Sequence, residues 1–460
     1  MMDDDPMSSG YPLTKGLAHF ASHPPPAPAK ALDVARDGLT DAFGLLVAAR
    51  EEPVVQAALH HALEGQPAGC ASVLLGPARA RSRDAAFVNA TACHAFAMDD
   101  VAFNCHPSAV LMPALLAAGE STGASGADLL RGWLVGYEVL AELALREPAS
   151  WHATGWHPTG VVAPVAVAAG VCHVLRCTPE VTQHALAIAA SFTGGLQANF
   201  GTDTKALHAG RASAAGLEAA QLARLGVTAS STALEHDKGL LSVLSPGRQA
   251  DLQREFDPFQ PAWHAAQAGV AIKKYPLCYT VHRIADAAID LGHRPEFDAD
   301  RVSTIDVWIG IRQAAMARYS QPLNALEAKY SAPFAVASGL IARAAGFAQL
   351  QPEFFGSDAV RRLVARTRLH VVEDTNADDP LFAPADRVLV TLDNGAVLDS
   401  GLVRFARGHP CLPMAPEQLR QKFMDCAGAL GAMKASRLFD VLQGLEALQD
   451  VRAIAAIEGE

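Results

Sequence analysis

Alanine-rich segments that are apolar on nearly every side constrain this chain more than any other feature. ALDVARDGLTDAFGLLVAAR (31–50), GADLLRGWLVGYEVLAELAL (126–145), TPEVTQHALAIAASFTGGL (178–196) and LHAGRASAAGLEAAQLARLG (207–226) carry apolar residues at three and four spacing or almost all round. The first pattern marks a helix with one buried face, and the second a helix buried whole. Residues from about 31 to 225 are therefore expected to form a large all-helical domain. Half of the 460 residues are hydrophobic but 6% are aromatic, so alanine, leucine and valine must fill the interior, as in closely packed helices. Ser125 before GADLL and Thr178-Pro179-Glu180 open helices, and Gly226 closes one.

The composition shifts near Lys273. VSTIDVWIGI (302–311) alternates polar and apolar residues, and DRVLVTLDNGAVLDSG (386–401) reads as a hairpin in which Asn394-Gly395 supplies the positive φ angles of a tight turn. Helical patterns, SAPFAVASGLIARAAG and DAVRRLVART, lie between them, which describes a smaller α+β domain. After Gly408-His409-Pro410 the pattern is helical again through PEQLRQKFMDCAGAL. The expected architecture is mostly α: a helical domain over 15–266 completed by 403–455, with an α+β domain over 267–402 inserted before the C-terminal helices.

Charge and composition exclude several functions. The formal net charge is −11 and no run of lysines and arginines makes a basic face, which argues against nucleic acid as a partner. The longest apolar run, Val161 to Cys172, is short of the roughly 20 residues a membrane span needs and contains Pro164 and Gly170. The N-terminus, MMDDDPMSSGYP, lacks the basic start and apolar core of a secretory signal, so a soluble, cytoplasmic protein is expected. Eight cysteines are scattered without a CxxC pair or a Cys/His ligand spacing, so neither a structural metal nor a cluster is expected.

Two stretches fifty-one residues apart read alike, HPSAVLMPALLAAG from His106 and HPTGVVAPVAVAAG from His157. Proline favours the first helical position and keeps the preceding residue out of the helix, so each histidine is expected at a helix mouth. Free N–H groups and the helix dipole make such mouths attractive to anions, and two facing one cleft would suit a carboxylate. Pro with Ser or Thr is equally an ordinary helix start. GTDTKALHAGRAS places Lys205 and His208 on one helical face if the helix starts at Thr204, near a mouth where a lysine is unfavourable unless an anion joins it. A solvated lysine has the same local sequence. KKYPLCYTVHRIADA offers Lys273, Lys274 and Cys278 at the domain junction, where ligand clefts often form. Asp99-Asp100 shortly precede His106, either orienting a histidine or forming a solvated loop pair.

Taken in order, NATACHAFAMDDVAFNCHPSAVLMPALLAAGE, GWHPTGVVAPVAVAAG, GTDTKALHAGRASAAGLEAAQLARLG, KKYPLCYTVHRIADA, EAKYSAPFAVA and PEQLRQKF make the chain resemble the MmgE/PrpD family from about residue 30 to 450. The resemblance implies a helical domain with an α+β lid, homodimers, and proton transfer at carbon beside a carboxylate on small polycarboxylates, without metal or organic cofactor. Known members include 2-methylcitrate dehydratase, cis-aconitate decarboxylase and iminodisuccinate epimerase. Carried over, His106 and His157 match the two His-Pro histidines, Lys205 the lysine of the TK segment and Lys273 the basic residue opening the lid motif. Together they make a catalytic set of His106, His157 and Lys205, with Asp100, Ser108, His208, Lys273, Lys274 and Cys278 binding substrate.

The departures from that pattern argue against the decarboxylase reaction. Ala97 and Val101 stand where the decarboxylase has aspartate and threonine, Cys278 where it has a lid histidine, and Phe334 where it has a tyrosine. CHPSAV also replaces the GHPSDN form of 2-methylcitrate dehydratase. The expectation is a cofactor-independent lyase, hydratase or dehydratase in type, in which His157 or Lys205 takes the α-proton and His106 is the general acid. An epimerase using the same residues and a catalytically silent carboxylate-binding protein are the alternatives.

Overall fold

A computed structural model describes residues 11–459 except 67, 149–150, 377–378 and 380. Residues 1–10, on which most of the signal-peptide reading rests, lie outside the described residues. Nine helices are named here for the first body: α1 (Leu13–Ser22), α2 (Ala29–Ala48), α3 (Pro53–Leu63), α4 (Ser82–Ala95), α5 (Pro107–Thr122), α6 (Gly126–Leu145), α7 (Ala163–Val174), α8 (Pro179–Ser191) and α9 (Thr204–Arg224). Helix α9 lies against α4, α5, α7 and α8, and α6 lies against α7. Small residues allow this. A Cβ on Gly210 of α9 would come 2.3 Å from Thr91 Oγ1 on α4, and one on Gly170 of α7 would come 2.6 Å from the Gly132 carbonyl on α6.

The helix ends follow the sequence signals. Ser125 and Asp128 form a reciprocal capping box on α6, and the Thr178 hydroxyl caps α8. Both His-Pro motifs start helices with the histidine at the N-cap. The first opens α5, whereas the second opens a short helix, Pro158–Val161, that breaks before α7 at Ala163. Pro164 explains the break, because it lacks an N–H and its ring crowds the turn before it.

The second body contains α10 (His282–Gly292), β1 (Val302–Gly310), α11 (Ala332–Ala342), α12 (Asp358–Arg366), β2 (Thr367–Val372), β3 (Arg387–Leu392) and β4 (Val397–Asp399). Its sheet runs β2-β1-β3-β4, with β1 and β2 parallel and the other pairs antiparallel. Val302, Ile305, Val307 and Ile309 of β1 and Val388, Val390 and Leu392 of β3 join Ile284, Leu291, Phe334 and Leu363 from the helices in a core of their own. The hairpin forms, but among the two turn residues the positive φ is at Gly395. Strand β2 has no sequence signal. TRLHVV follows α12 without a break and is half exposed, so its alternation is weak.

Helices α13 (Pro416–Cys426), α14 (Ala432–Gln443) and α15 (Arg452–Gly459) close the chain. Leu419, Phe423, Leu438, Leu442 and Ile454 pack into the core of the first body, mainly along α2. The fold is therefore mostly α, with a smaller α+β body between the ninth helix and the C-terminal helices. Among the described residues no helix is long and apolar enough to cross a membrane.

Candidate active site

A small cavity lies at the junction of the two bodies. From the first come Ala97, Val101, His106, His152, His157, Phe200 and Lys205, and from the chain beyond it Lys273, Cys278, Met316, Tyr330 and Leu381. It shares the lining residues Val101, Asn104, Tyr279 and Leu381 with a larger cleft of about 490 Å³. His106, His157, Lys205, Lys273 and Cys278 are thus brought together. His208 stands behind, its Nδ1 3.1 Å from His157 Nδ1.

Three other expected residues, Asp100, Ser108 and Lys274, do not line the cavity. Asp100 is fully buried, accepting from the Ser108 N–H at 3.1 Å and the Ser108 hydroxyl at 2.6 Å, while Trp133 donates to that hydroxyl at 2.9 Å. Asp100 and Ser108 therefore cap the start of α5 rather than face a substrate. Lys274 is exposed, with its ammonium 5.8 Å from the centroid of the Tyr275 ring. Phe334 lies in the core of the second body against Phe355, and Tyr330, four residues earlier and just before α11 begins, is the tyrosine that lines the cavity. The substitution at Phe334 therefore removes no hydroxyl from the cavity.

The loop between α4 and α5 carries the groups that organise the site. Ala97 adopts φ +54, and its carbonyl accepts from Lys273 Nζ at 2.8 Å. Lys329 Nζ reaches the Ala95 carbonyl at 3.2 Å, and Lys422 Nζ the Met98 carbonyl at 3.1 Å. Asp99 follows, and its Oδ2 lies 2.6 Å from His94 Nδ1 and 3.1 Å from His106 Nδ1. His106 Nδ1 is also 2.8 Å from the Asp100 carbonyl. A carbonyl only accepts, so His106 Nδ1 carries the hydrogen and Nε2 has the free lone pair. His94, Asp99, His152 and Tyr330 complete the set; His94 and Tyr330 fall within quoted segments without being singled out, and His152 lies outside them. Asp99 was noted beside Asp100, but adjacency in a loop cannot say which carboxylate turns inward.

Burial sets the charge states. It pulls His106 down to about 4 despite the opposing pull of Asp99, and lowers His157 and His94 well below the ordinary imidazole range. Burial also lowers Lys205 to about 7, with Asp99 opposing and Lys273 assisting, and lowers Lys273. Burial would raise Asp99, but His106, His94 and Lys273 outweigh it and hold the carboxyl well below its usual range. With the imidazoles neutral, the charged groups around the cavity are two lysines and one carboxylate, a balance that favours an anion. Ring nitrogens of His94, His106 and His157 lie within 4.8 Å of one another, a donor set in reach of a metal. Lys205 and Lys273 beside them would repel a dication.

Two family models match this architecture, the MmgE/PrpD N-terminal domain over residues 15–253 and the MmgE/PrpD C-terminal domain over 275–445. The chain belongs to the MmgE/PrpD family. Among curated MmgE/PrpD-type relatives, it is 29% identical over 387 residues to the cis-aconitate decarboxylase of Mus musculus, covering 81% of this chain and 78% of the relative. It is 28% identical over 393 residues to the cis-aconitate decarboxylase of Homo sapiens, with 81% and 78% covered. A cis-aconitate decarboxylase-like protein of Aspergillus oryzae is 25% identical over 476 residues, covering 97% and 98%. Membership in the MmgE/PrpD family and these relatives support an enzyme.

Proposed function

We propose that this MmgE/PrpD protein is a cofactor-independent lyase, hydratase or dehydratase in type, acting on a small di- or tricarboxylate by proton transfer at the carbon beside a carboxylate. The observation that carries the reading is a neutral His106 with Nε2 unprotonated in the same cavity as Lys205 and Lys273. That tautomer reverses the expected roles. His106 is suited to take the α-proton, and Lys205, as an ammonium, to protonate the leaving hydroxyl or hold the developing enolate. Lys273 holds a substrate carboxylate while one of its N–H groups stays on Ala97, and His157 flanks the reacting carbon. The protein acts as a cytoplasmic homodimer in this reading, and light scattering checks it by a mass twice the 48.3 kDa of one chain.

Decarboxylation of a cis-aconitate-like substrate is the second reading, favoured by the names of the curated relatives and by Tyr330 in the cavity. Ala97, Val101 and Cys278 stand against it, since three positions polar in the decarboxylase are occupied here by two apolar side chains and a thiol. Proton NMR in deuterium oxide with citrate, methylcitrate, aconitate, malate and iminodisuccinate separates these. Exchange at the α-carbon with gain or loss of water supports the lyase, release of carbon dioxide the decarboxylase, and inversion alone an epimerase. The His106→Ala and His157→Ala proteins are expected to lose exchange. Carboxylates that bind and stabilise the fold but never exchange would replace the lyase by a binding protein.

A further inference from the structure

Asp99 stands behind the cavity wall with no role in the roles assigned above. It is 1% exposed, and its Oδ2 serves His94 Nδ1 and His106 Nδ1 at once. An ionised carboxylate and a carbonyl both accept and cannot donate, so His94 carries its hydrogen on Nδ1 toward Asp99, and His106 carries its own on Nδ1 toward the Asp100 carbonyl beside Asp99. Both are therefore presented with Nε2 unprotonated, and among the described residues His94 Nε2 has no hydrogen-bond partner. The two rings meet edge to face with centroids 4.6 Å apart, so neither turns without displacing the other. Lys273 Nζ approaches the remaining oxygen at 4.0 Å.

We propose that Asp99 is the positioning residue of the reaction: it holds His94 by a hydrogen bond and, 3.1 Å from His106 Nδ1, supplies the negative charge against which His106, kept Nε2-basic by the Asp100 carbonyl, becomes an imidazolium. This rests on the proton-abstraction reading of the site. In the step concerned, the C–H bond beside the substrate carboxylate breaks, its electron pair stays on carbon, and the proton bonds to His106 Nε2. The new positive charge is delocalised to Nδ1, which lies 3.1 Å from Asp99 Oδ2 while its hydrogen bonds the Asp100 carbonyl at 2.8 Å. Facing His106 are Asp99, His94, His152, His157, Lys205 and Lys273. Asp99 is the anionic member of that set, so without it a proton arriving on His106 meets only neutral rings and two cations. Its carboxyl is held well below the usual range by the same histidines and Lys273 after the cost of burial, which keeps it ionised at neutral pH. His94 acts through Asp99, as a second donor that holds Oδ2 in place.

Two measurements test this. In wild-type protein labelled with ¹⁵N-histidine, long-range nitrogen–proton correlation is expected to show His94 and His106 as Nδ1–H tautomers. An Nε2–H tautomer at His106 would overturn the proposal whether or not a substrate is known. In Asp99→Asn, which keeps shape and removes charge, kcat for α-proton exchange is expected to fall about 100-fold or more with KM not raised. A merely structural role would instead raise KM and lower the melting temperature together, and an Asp99→Asn protein with more than a tenth of wild-type kcat would also overturn it. If wild type exchanges no candidate substrate, the loss falls on the lyase reading, and the nitrogen tautomers still decide the arrangement around Asp99.

Discussion

At the scale of single residues, Lys205 sets how this site answers to pH. In the proposed reaction His106 must be neutral to take a proton and Lys205 must be charged to give one, and burial places these groups at about 4 and about 7. The expected kcat/KM profile is a bell with its acid limb near the first value and its alkaline limb near the second. A rate still rising above neutral pH would make Lys205 the base instead. The same shift makes a stability prediction. Lys205 binds its proton less tightly folded than unfolded, so its burial costs stability in full below about 7, and the cost fades as pH climbs toward the ordinary 10.5. Lys205→Met is therefore expected to lose activity while melting higher than wild type at pH near 6, with the difference shrinking at pH near 9. Which residues could be found in advance followed from local pattern. His106, His157, Lys205 and Lys273 carry helix-mouth or junction signals, and all reach the cavity. Where two like residues are adjacent, Asp99-Asp100 and Lys273-Lys274, pattern gives no facing. The structure turns Asp99 and Lys273 inward, Asp100 into a helix cap and Lys274 to solvent.

At the scale of elements, the loop after α4 is a short irregular segment made definite by three ammonium groups. Lys329 comes from the second body, Lys273 from the crossing between bodies and Lys422 from α13, and they take the carbonyls of Ala95, Ala97 and Met98. Lys422 is itself paired to buried Asp41 of α2 at 2.5 Å. A hydrogen bond from a charged donor contributes about 1.5–3 kcal/mol. Lys329→Met removes the bond that crosses from the second body, and it is expected to speed amide exchange across 95–106 while leaving α5 and α6 protected. Unchanged exchange in that loop would show that the lysine does not hold it. A second prediction concerns the cap behind the loop. A Cβ on Gly38 of α2 would lie 2.5 Å from Ser108 Oγ and 3.3 Å from Asp100 Oδ2. Gly38→Ala is expected to destabilise the fold by about 1–3 kcal/mol in denaturant unfolding, by forcing apart the pair that starts α5. The helices themselves were legible from three and four spacing and caps, and β1 and the hairpin from alternation. Strand β2 was not, because it pairs along the sheet edge with little of its surface buried, so the ladder rather than the side chains defines it.

At the scale of the whole molecule, two separate hydrophobic cores meet at the site, one through the helices and C-terminal segment and one around the sheet. The change of pattern near Lys273 made this division legible, but the meeting of His106, Lys205, Cys278 and Tyr330 was not, since it depends on how the bodies pack and no local signal encodes that. The division has a thermodynamic consequence. Among the described residues the smaller core contains about a third as many buried hydrophobic side chains as the larger and gains less from burial, so on its own it is the less stable body. Contacts across the junction, the lysine bonds to the loop among them, link the two. A polycarboxylate in the cavity that Lys205 of the helical body shares with Lys273 of the crossing and Tyr330 of the second body stabilises the joined form alone, by about 2.7 kcal/mol at a concentration one hundred times Kd. Calorimetry without ligand is therefore expected to show the second body melting ahead of the helical one. Added citrate should raise the first transition until the two merge, and Lys273→Met should abolish that effect with the helical transition kept. If both transitions moved together by the same amount with and without Lys273, the anion would be binding somewhere other than between the two bodies, and the junction would lose its claim to be the substrate site.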